Sequence, residues 1–301
     1  MRKMSRKKKI FVFTSIGFLS VATLGIGGYF IYDLVRGNPD IYGDLVAEDY
    51  MDDNTQLFAD YETLRASSAT LDTYQETYAP HQLFNIALHE SQKSEFMKLE
   101  TRGNVNAAGL KQTVLAYQLR NGDEYFYESI SKGLFSVGKR FYQGEDVTWY
   151  SGKFSLFNSN YYWKADSEQI ISIEEFKEVW GFDCSIISPY IVSSHTSLEA
   201  SDTSISDGKL QLSLHLDPLY SVIEYSKQML HMGDLEAWPV FESVKLDVSI
   251  NSDFLIESMN ITEYYEVKKI GWHNAKGTLD ISCVYGEPGS IPDVDTLITY
   301  N

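Results

Sequence analysis

The chain has 301 residues and a formal net charge of −17 at pH 7, from 25 basic and 42 acidic residues. An acidic surface repels nucleic acid, so this charge excludes a nucleic-acid-binding protein. Hydrophobic residues make up 44% of the chain and aromatic residues 14%, which excludes a disordered chain and provides for one large or two small cores.

The N-terminus predicts a membrane anchor. Six of the first nine residues are Lys or Arg, and residues 10–32 carry no charge. A helix through these 23 residues would be roughly 34 Å long, enough to cross a bilayer. Because basic flanks stay on the cytoplasmic side, we expect a single-pass protein with an extracytoplasmic C-terminal part. The alternative is a cleaved signal peptide, but such peptides have shorter apolar cores.

Residues 33–79 begin with helix-breaking residues and continue with apolar residues at helical spacing. Gly37, Pro39 and Gly43 indicate a short linker, and apolar residues at helical spacing follow from 44 to 78. Both a stalk and a first packed helix fit this pattern. Pro80 suits the first turn of a further helix. We predict four parts: a cytoplasmic basic segment 1–9, an anchor 10–32, a linker and juxtamembrane helix 33–79, and an extracytoplasmic domain 80–301.

The middle of the chain predicts a meander of antiparallel strands. Asn121-Gly122-Asp123 is a strong hairpin turn between two such strands. The predicted strands here are 96–105, 110–120, 124–130, 136–142 and 146–150. A short helix over 172–181 is predicted by three local signals: capping-box spacing of Ser172 and Glu175, a hydrophobic staple of Ile171 and Phe176, and Gly181 at the C-terminal cap.

The last third alternates between strand and helix patterns. Leu210 to Leu216 alternate with polar residues, which predicts a strand with one buried face. A helix follows Asp217-Pro218 to about Met232. Further strands are predicted at 244–250, 254–267 and 278–285, and the turn-rich tail from Gly286 is expected to be loosely held, apart from a short edge strand at 295–300. The whole predicts an α+β fold with a large curved antiparallel sheet and helices on one face.

No arrangement of residues predicts catalysis, a metal site or a cofactor, so we do not expect an enzyme. The six histidines are scattered, and the acidic runs lack the Gly and Glu of a calcium loop. Two cysteines, Cys184 and Cys283, permit a single disulfide in an exported protein. Two buried free thiols are the alternative.

The order of elements over residues 80–285 resembles the lipoprotein-carrier fold of LolA and the LprG-type lipoproteins. The resemblance rests on a lead helix, the strands around Tyr125-Phe126-Tyr127-Glu128, the helix at 174–180, the helix after Asp217-Pro218 and three closing strands. It implies a half-barrel sheet around an apolar cavity for acyl chains, with helices 172–180 and 219–232 as a lid. The cavity residues it implies are Leu212, Leu214, Val248, Ile250, Phe176, Trp180, Ile223 and Leu230.

Two functions follow as hypotheses. The first is a membrane-anchored, non-catalytic protein that binds lipid or another amphiphile, and it predicts an enclosed apolar cavity. Since a tethered domain cannot carry cargo far, sensing or local hand-over fits better than transport. The alternative is a cell-surface immunity or regulatory module that binds a protein, and it predicts a filled core and an exposed patch.

Overall fold

The computed structural model describes residues 37–107, 109–133, 136–155, 158–163, 168–269, 271–294, 296 and 298. The predicted anchor at 10–32 lies outside these residues. Within the described part of the chain, no helix is both long enough and apolar enough to cross a membrane.

Three helices precede the sheet. The helices of the chain are α1 (Thr55–Ala66), α2 (Leu71–Thr77), α3 (Pro80–Gln92), α4 (Ile173–Trp180) and α5 (Ile223–Met232), with 3-10 turns at Ala47–Tyr50 and Tyr220–Val222. Tyr42, Tyr61 and Tyr74 are buried in the main apolar core. Of the two possibilities that the sequence left open for 44–78, a stalk or a packed helix, the structure therefore has the packed form, as a 3-10 turn and two short helices.

Twelve antiparallel strands form one sheet. They are β1 (Phe96–Ala107), β2 (Leu110–Asn121), β3 (Glu124–Lys132), β4 (Val137–Gln143), β5 (Asp146–Ser155), β6 (Asn158–Trp163), β7 (Gln169–Ser172), β8 (Asp202–Ser206), β9 (Lys209–Leu216), β10 (Val240–Ile250), β11 (Ile256–Lys268) and β12 (Trp272–Tyr285). Their order is β6-β5-β4-β3-β2-β1-β12-β11-β10-β9-β8, and β7 also pairs with β5. The α+β class and the large antiparallel sheet are confirmed. Strands β6, β7 and β8 were not predicted from the sequence.

The two halves of the chain meet where β1 pairs with β12. Leu99 lies opposite Cys283, and Thr101 lies opposite Ile281. One face of the sheet is therefore continuous from the early hairpins to the leucine-rich strand β9. Helix α3 packs on this inner face against β9 and β11, and its Leu83, Phe84 and Ile86 are fully buried.

The C-terminal tail packs on the opposite face of β2–β5. There Leu115, Ile130 and Tyr150 form a small apolar cluster with Val294 of the tail. The buried Arg140 guanidinium donates to the backbone oxygen of Val294 at 2.6 Å. The described part of the tail is thus anchored at this point. This differs from the loosely held tail that its turn-rich sequence predicts. The edge strand expected at 295–300 falls largely outside the described residues.

The apolar clusters draw their described members from the region between Ile41 and Val294. A chain of residues 37–301 therefore contains every described member of these clusters.

Local capping signals place α4 where the sequence predicts it. The Ser172 hydroxyl accepts a hydrogen bond from the Glu175 backbone N–H at 3.2 Å. Gly181 ends the helix with φ +71°, the left-handed conformation of a helix C-cap. A β-carbon at Gly181 would also lie 2.4 Å from the Glu224 backbone oxygen. The end of α4 is therefore tightly packed against the start of α5.

Replacing Gly181 with alanine should destabilise the protein more than the same change at Gly208. Both glycines have φ +71°, so both substitutions carry the left-handed penalty of about 1 kcal/mol. Gly208 has open space around it, whereas Gly181 meets the α5 backbone, so Gly181→Ala should lose about 1–3 kcal/mol more. Urea unfolding of both variants measures the difference. Equal losses would mean that α4 and α5 do not pack as described.

Candidate ligand cavity

A cavity of about 570 Å³ lies against the inner face of the sheet. Its floor comes from β1, β2, β3, β11 and β12. Side chains on this face are brought together by register, since Thr101 lies opposite Ala116 on one side and Ile281 on the other. Its volume is in the range of about 300–1,000 Å³ that is usual for small-molecule sites.

The roof is formed by α5 and by the segment after α4, residues 182–190. Helix α5 contributes Tyr225, Met229 and Met232 to the lining. The segment 182–190 is fixed to the sheet by Gln118, whose side-chain amide donates to the backbone oxygens of Cys184 at 2.8 Å and Ile186 at 2.9 Å. The roof thus combines an anchored segment with two flexible methionines, which adapt to ligands of varied shape.

The lining is mostly apolar and passes from a buried to an exposed end. Leu99 and Ile187 are buried, while Leu110, beside the β1–β2 turn, is 50% exposed. The apolar lining residues are Leu99, Val105, Ala107, Leu110, Val114, Ala116, Val137, Phe182, Ile186, Ile187, Pro189, Met229, Met232, Leu235, Ile261, Val267, Leu279 and Ile281. An alkyl chain would find apolar contact along this whole surface.

Small inward side chains create the space. The inward side chains of β2 and β3 at the cavity include the small residues Ala116, Ser129 and Ser131. Where β9 and β10 pair, their inward side chains are larger, namely leucine, valine or isoleucine. On β12 the inward position opposite both Val105 and Glu263 is Gly277. These residues leave a gap between the sheet and α5 that no described side chain fills.

One acidic side chain lies in the apolar wall. Glu263 of β11 is only 2% exposed. The Tyr190 hydroxyl donates to its Oε1, and the Tyr225 hydroxyl donates to its Oε2 at 3.4 Å. Burial raises the pKa of Glu263, and the two hydrogen bonds lower it. Burial is the larger effect, so the pKa rises from 4.5 to about 7. The carboxyl group therefore changes charge near neutral pH.

Aromatic rings surround this carboxyl group. The ring centroids of Tyr190 and Tyr225 are 4.9 Å apart, and Tyr265, two residues along β11, also lines the cavity. Burial beside Glu263 raises the pKa of Tyr265, and burial raises the pKa of Tyr190 and Tyr225 well above their ordinary values. The three hydroxyls are thus neutral hydrogen-bonding groups at any physiological pH.

The residues that the resemblance implied as cavity residues lie elsewhere. Leu212, Leu214, Val248 and Ile250 are buried in the main core, as is Ile223. Phe176 and Trp180 pack with Phe141 in a separate aromatic cluster, and Leu230 is half-buried on α5. None of the eight is among the residues that line the cavity. For the four strand residues the reason is that α3 packs against β9 and β11, so the protein itself fills the leucine-rich part of the face.

The two cysteines are free and buried in this structure. Cys184 belongs to the aromatic cluster with Phe176, and Cys283 belongs to the main core. Of the two possibilities for the pair, the structure has the free thiols. Burial raises the pKa of both thiols, which keeps them protonated and unreactive. In the described part of the chain, no three His, Cys, Asp or Glu residues are grouped so that they could hold a metal ion.

Comparisons with known proteins give only distant likenesses. No protein family and no curated protein matches the chain. A solved structure of a DUF1329 family protein from Desulfovibrio piger is 11% identical over 71% of this chain and 96% of that chain, with a TM-score of 0.28. A putative outer membrane protein from Bacteroides fragilis is 8% identical over 64% of this chain and 99% of that chain, with a TM-score of 0.14. Likenesses this weak carry no conclusion about function, and the resemblance to LolA stays a prediction.

Proposed function

We propose that this protein binds an amphiphilic molecule in the cavity between the sheet and α5, without chemical conversion. The observation that carries the proposal is an apolar cavity of about 570 Å³ with a few polar groups on one wall. Such a surface favours a ligand with an alkyl chain, because each buried methylene contributes about 0.8 kcal/mol. An apolar cavity under helices is also what the resemblance to lipid carriers implies.

We further propose that residues 10–32 anchor this domain in the membrane with its cavity on the extracytoplasmic side. The basic residues before this segment and the acidic residues after it support that orientation. A tethered cavity beside a bilayer has access to lipids and to amphiphiles dissolved in them. Sensing or local hand-over of such molecules then suits the fixed position of the domain.

Filling the cavity should abolish binding of a simple neutral amphiphile. Ala116 lies on the floor of the cavity, so Ala116→Phe places a ring where the ligand chain lies. We expect its affinity for 1-decanol, measured by titration calorimetry on residues 37–301, to fall at least tenfold. Ala59→Phe, at an exposed position of α1, is the matched control and should bind as the wild type does.

A second filling variant, Val114→Phe, tests the same surface from the next inward position of β2. Circular dichroism and urea unfolding establish that each variant is folded before the binding is compared. Folded filling variants that bind decanol as tightly as the control does would reject the proposed site.

A further inference from the structure

We propose that the ligand of the cavity is cationic, with an ammonium group held against the Glu263 carboxylate and the rings of Tyr190 and Tyr225. This inference rests on the proposed function, which it narrows from amphiphiles in general to amphiphilic amines. The alkyl chain would then lie across Gly277 and Val105 toward the small residues of β2.

Glu263 is a buried acid whose hydrogen-bond donors are neutral hydroxyls. Carboxylates are rarely buried without a cation, because removing a charge from water costs several kcal/mol. Glu263 receives only neutral hydroxyl donors, from Tyr190 and Tyr225. Among the described residues, no Lys, Arg or His forms an ion pair with it, whereas the other fully buried acid, Glu128, pairs with Arg140. A cationic ligand would supply the partner that the protein lacks.

The Glu263 side chain lines the cavity, beside small and apolar residues of the sheet. In the pairing row of Glu263, β12 contributes Gly277 and β1 contributes Val105. A β-carbon at Gly277 would lie 3.2 Å from the Glu263 Oε2 atom. Because Gly277 has no side chain, no β12 side chain covers this carboxylate oxygen from that side.

Aromatic side chains surround the carboxyl group. Tyr190, Tyr225 and Tyr265 all line the cavity close to Glu263. Faces of aromatic rings attract cations, and the attraction reaches about 2 kcal/mol when the cation is desolvated. A carboxylate among several rings is a favourable site for an ammonium group. It is a poor site for a sulfate or carboxylate, which would meet a like charge. The net charge of −17 also attracts cations to the molecule as a whole.

Three probes with the same alkyl chain test the head group: decylammonium and decyl sulfate below their micelle concentrations, and 1-decanol below its solubility limit. Titration calorimetry on residues 37–301 at pH 8 and 150 mM salt should show decylammonium binding at least tenfold more tightly than the other two. Decanol or decyl sulfate binding as tightly as decylammonium would overturn the inference, while the proposed amphiphile site would stand. No binding of any probe would reject both.

Glu263→Gln keeps the shape of the side chain and removes its charge. We expect the ratio of decylammonium affinity to decanol affinity to fall at least tenfold. Unchanged decylammonium affinity would assign its binding to the acidic surface and overturn the inference.

The wild type offers a second test that needs no substitution. Because the pKa of Glu263 is about 7, the ionised fraction rises roughly tenfold from pH 6 to pH 8, and decylammonium affinity should rise with it. Decanol affinity should stay constant. The titratable groups that share the cavity wall are Tyr127, Asp183, Tyr190, Tyr225, Tyr265, Lys269 and His273. Decyl sulfate is the control for the two basic residues among them, Lys269 and His273, because an anionic probe is sensitive to their charge. A decylammonium affinity that stays constant from pH 6 to pH 8 would contradict the inference.

Discussion

Replacing Glu128 with glutamine is expected to lower the free energy of unfolding by about 3–5 kcal/mol. Glu128 and Arg140 are both fully buried on the outer face of the sheet, and the Arg140 Nε donates to the Glu128 Oε2 at 2.7 Å. The substitution removes the carboxylate that neutralises the buried Arg140 guanidinium. The loss can be read from urea unfolding at neutral pH, where the slope of the transition also shows whether the folded state has changed.

An exposed ion pair is the natural control. Glu62 forms a salt bridge with Lys93, with 3.2 Å between the Lys93 Nζ and Glu62 Oε1 atoms. About half of each side chain is exposed to solvent. Glu62→Gln should cost at most about 1 kcal/mol. The double variant Glu128→Leu with Arg140→Met, which removes both buried charges, should be more stable than Glu128→Gln alone. A Glu128→Gln loss as small as that of the control would contradict the buried pair.

The tail should loosen when Arg140 is lost. The guanidinium donates to the backbone oxygens of Asp293 at 3.2 Å, Val294 at 2.6 Å and Thr296 at 2.8 Å. Arg140→Met removes these bonds, so amide exchange or limited proteolysis within residues 286–296 should become faster. Protection of this segment equal to that in the wild type would show that other contacts hold the tail.

Glu263 should make the protein less stable as the pH rises from 5 to 8. Its pKa is raised from 4.5 in the unfolded chain to about 7 in the folded protein. Below pH 4.5 the carboxyl group is protonated in both states and contributes no penalty. Between the two pKa values the unfolded chain ionises first, so the free energy of unfolding falls. Above pH 7 the loss is complete, at about 3 kcal/mol in total.

Glu263→Gln should remove this contribution, so that the variant gains stability relative to the wild type at pH 8 compared with pH 5. Urea unfolding of both proteins at the two pH values gives the difference directly. Glu145→Gln, at the exposed turn between β4 and β5, corrects for the loss of one acidic charge. A wild type and Glu263→Gln variant with parallel pH profiles would mean that the Glu263 carboxyl is not buried as described.

Features set by local chemistry could be predicted from the sequence. The hydroxyl of Ser172 and the left-handed glycine at 181 define the two ends of α4 within ten residues. The turn at Gly122, with φ +64°, fixes the β2–β3 hairpin in the same way. Alternation along β9 was equally informative, because Leu210, Leu212 and Leu214 are all buried. Each of these signals lies within a single element or turn.

Features that depend on distant contacts could not be predicted. The pairing of β1 with β12 joins residues far apart in the chain, such as Leu99 and Cys283, which are 184 positions apart (283 − 99), and no local pattern specifies it. An inward leucine stripe serves a packed core and a lipid cavity equally well. Which stretch of the face stays open depends on where α3 lies, and this helix covers β9 rather than β2.

The polar centre of the cavity did leave a signal in the sequence. Along β11 the inward positions are Met259, Ile261, Glu263 and Tyr265, so an acid interrupts an otherwise apolar alternation. An acid at a buried position of a strand indicates a partner or a function, since its burial is costly. Its neighbours Tyr190 and Tyr225 come from other elements, and only the structure brings them to the carboxylate.

The most direct test of the amphiphile cavity is native mass spectrometry of residues 37–301. The protein is produced in living cells, where it meets cellular lipids, and is purified without detergent. Organic extraction of the same sample identifies any bound molecule. We expect a bound mass that extracts as an amphiphile, or that appears after incubation with membrane lipid extract, and that is absent from the Ala116→Phe variant. A bare protein mass before and after that incubation would contradict ligand binding, and would favour a protein partner for this domain instead.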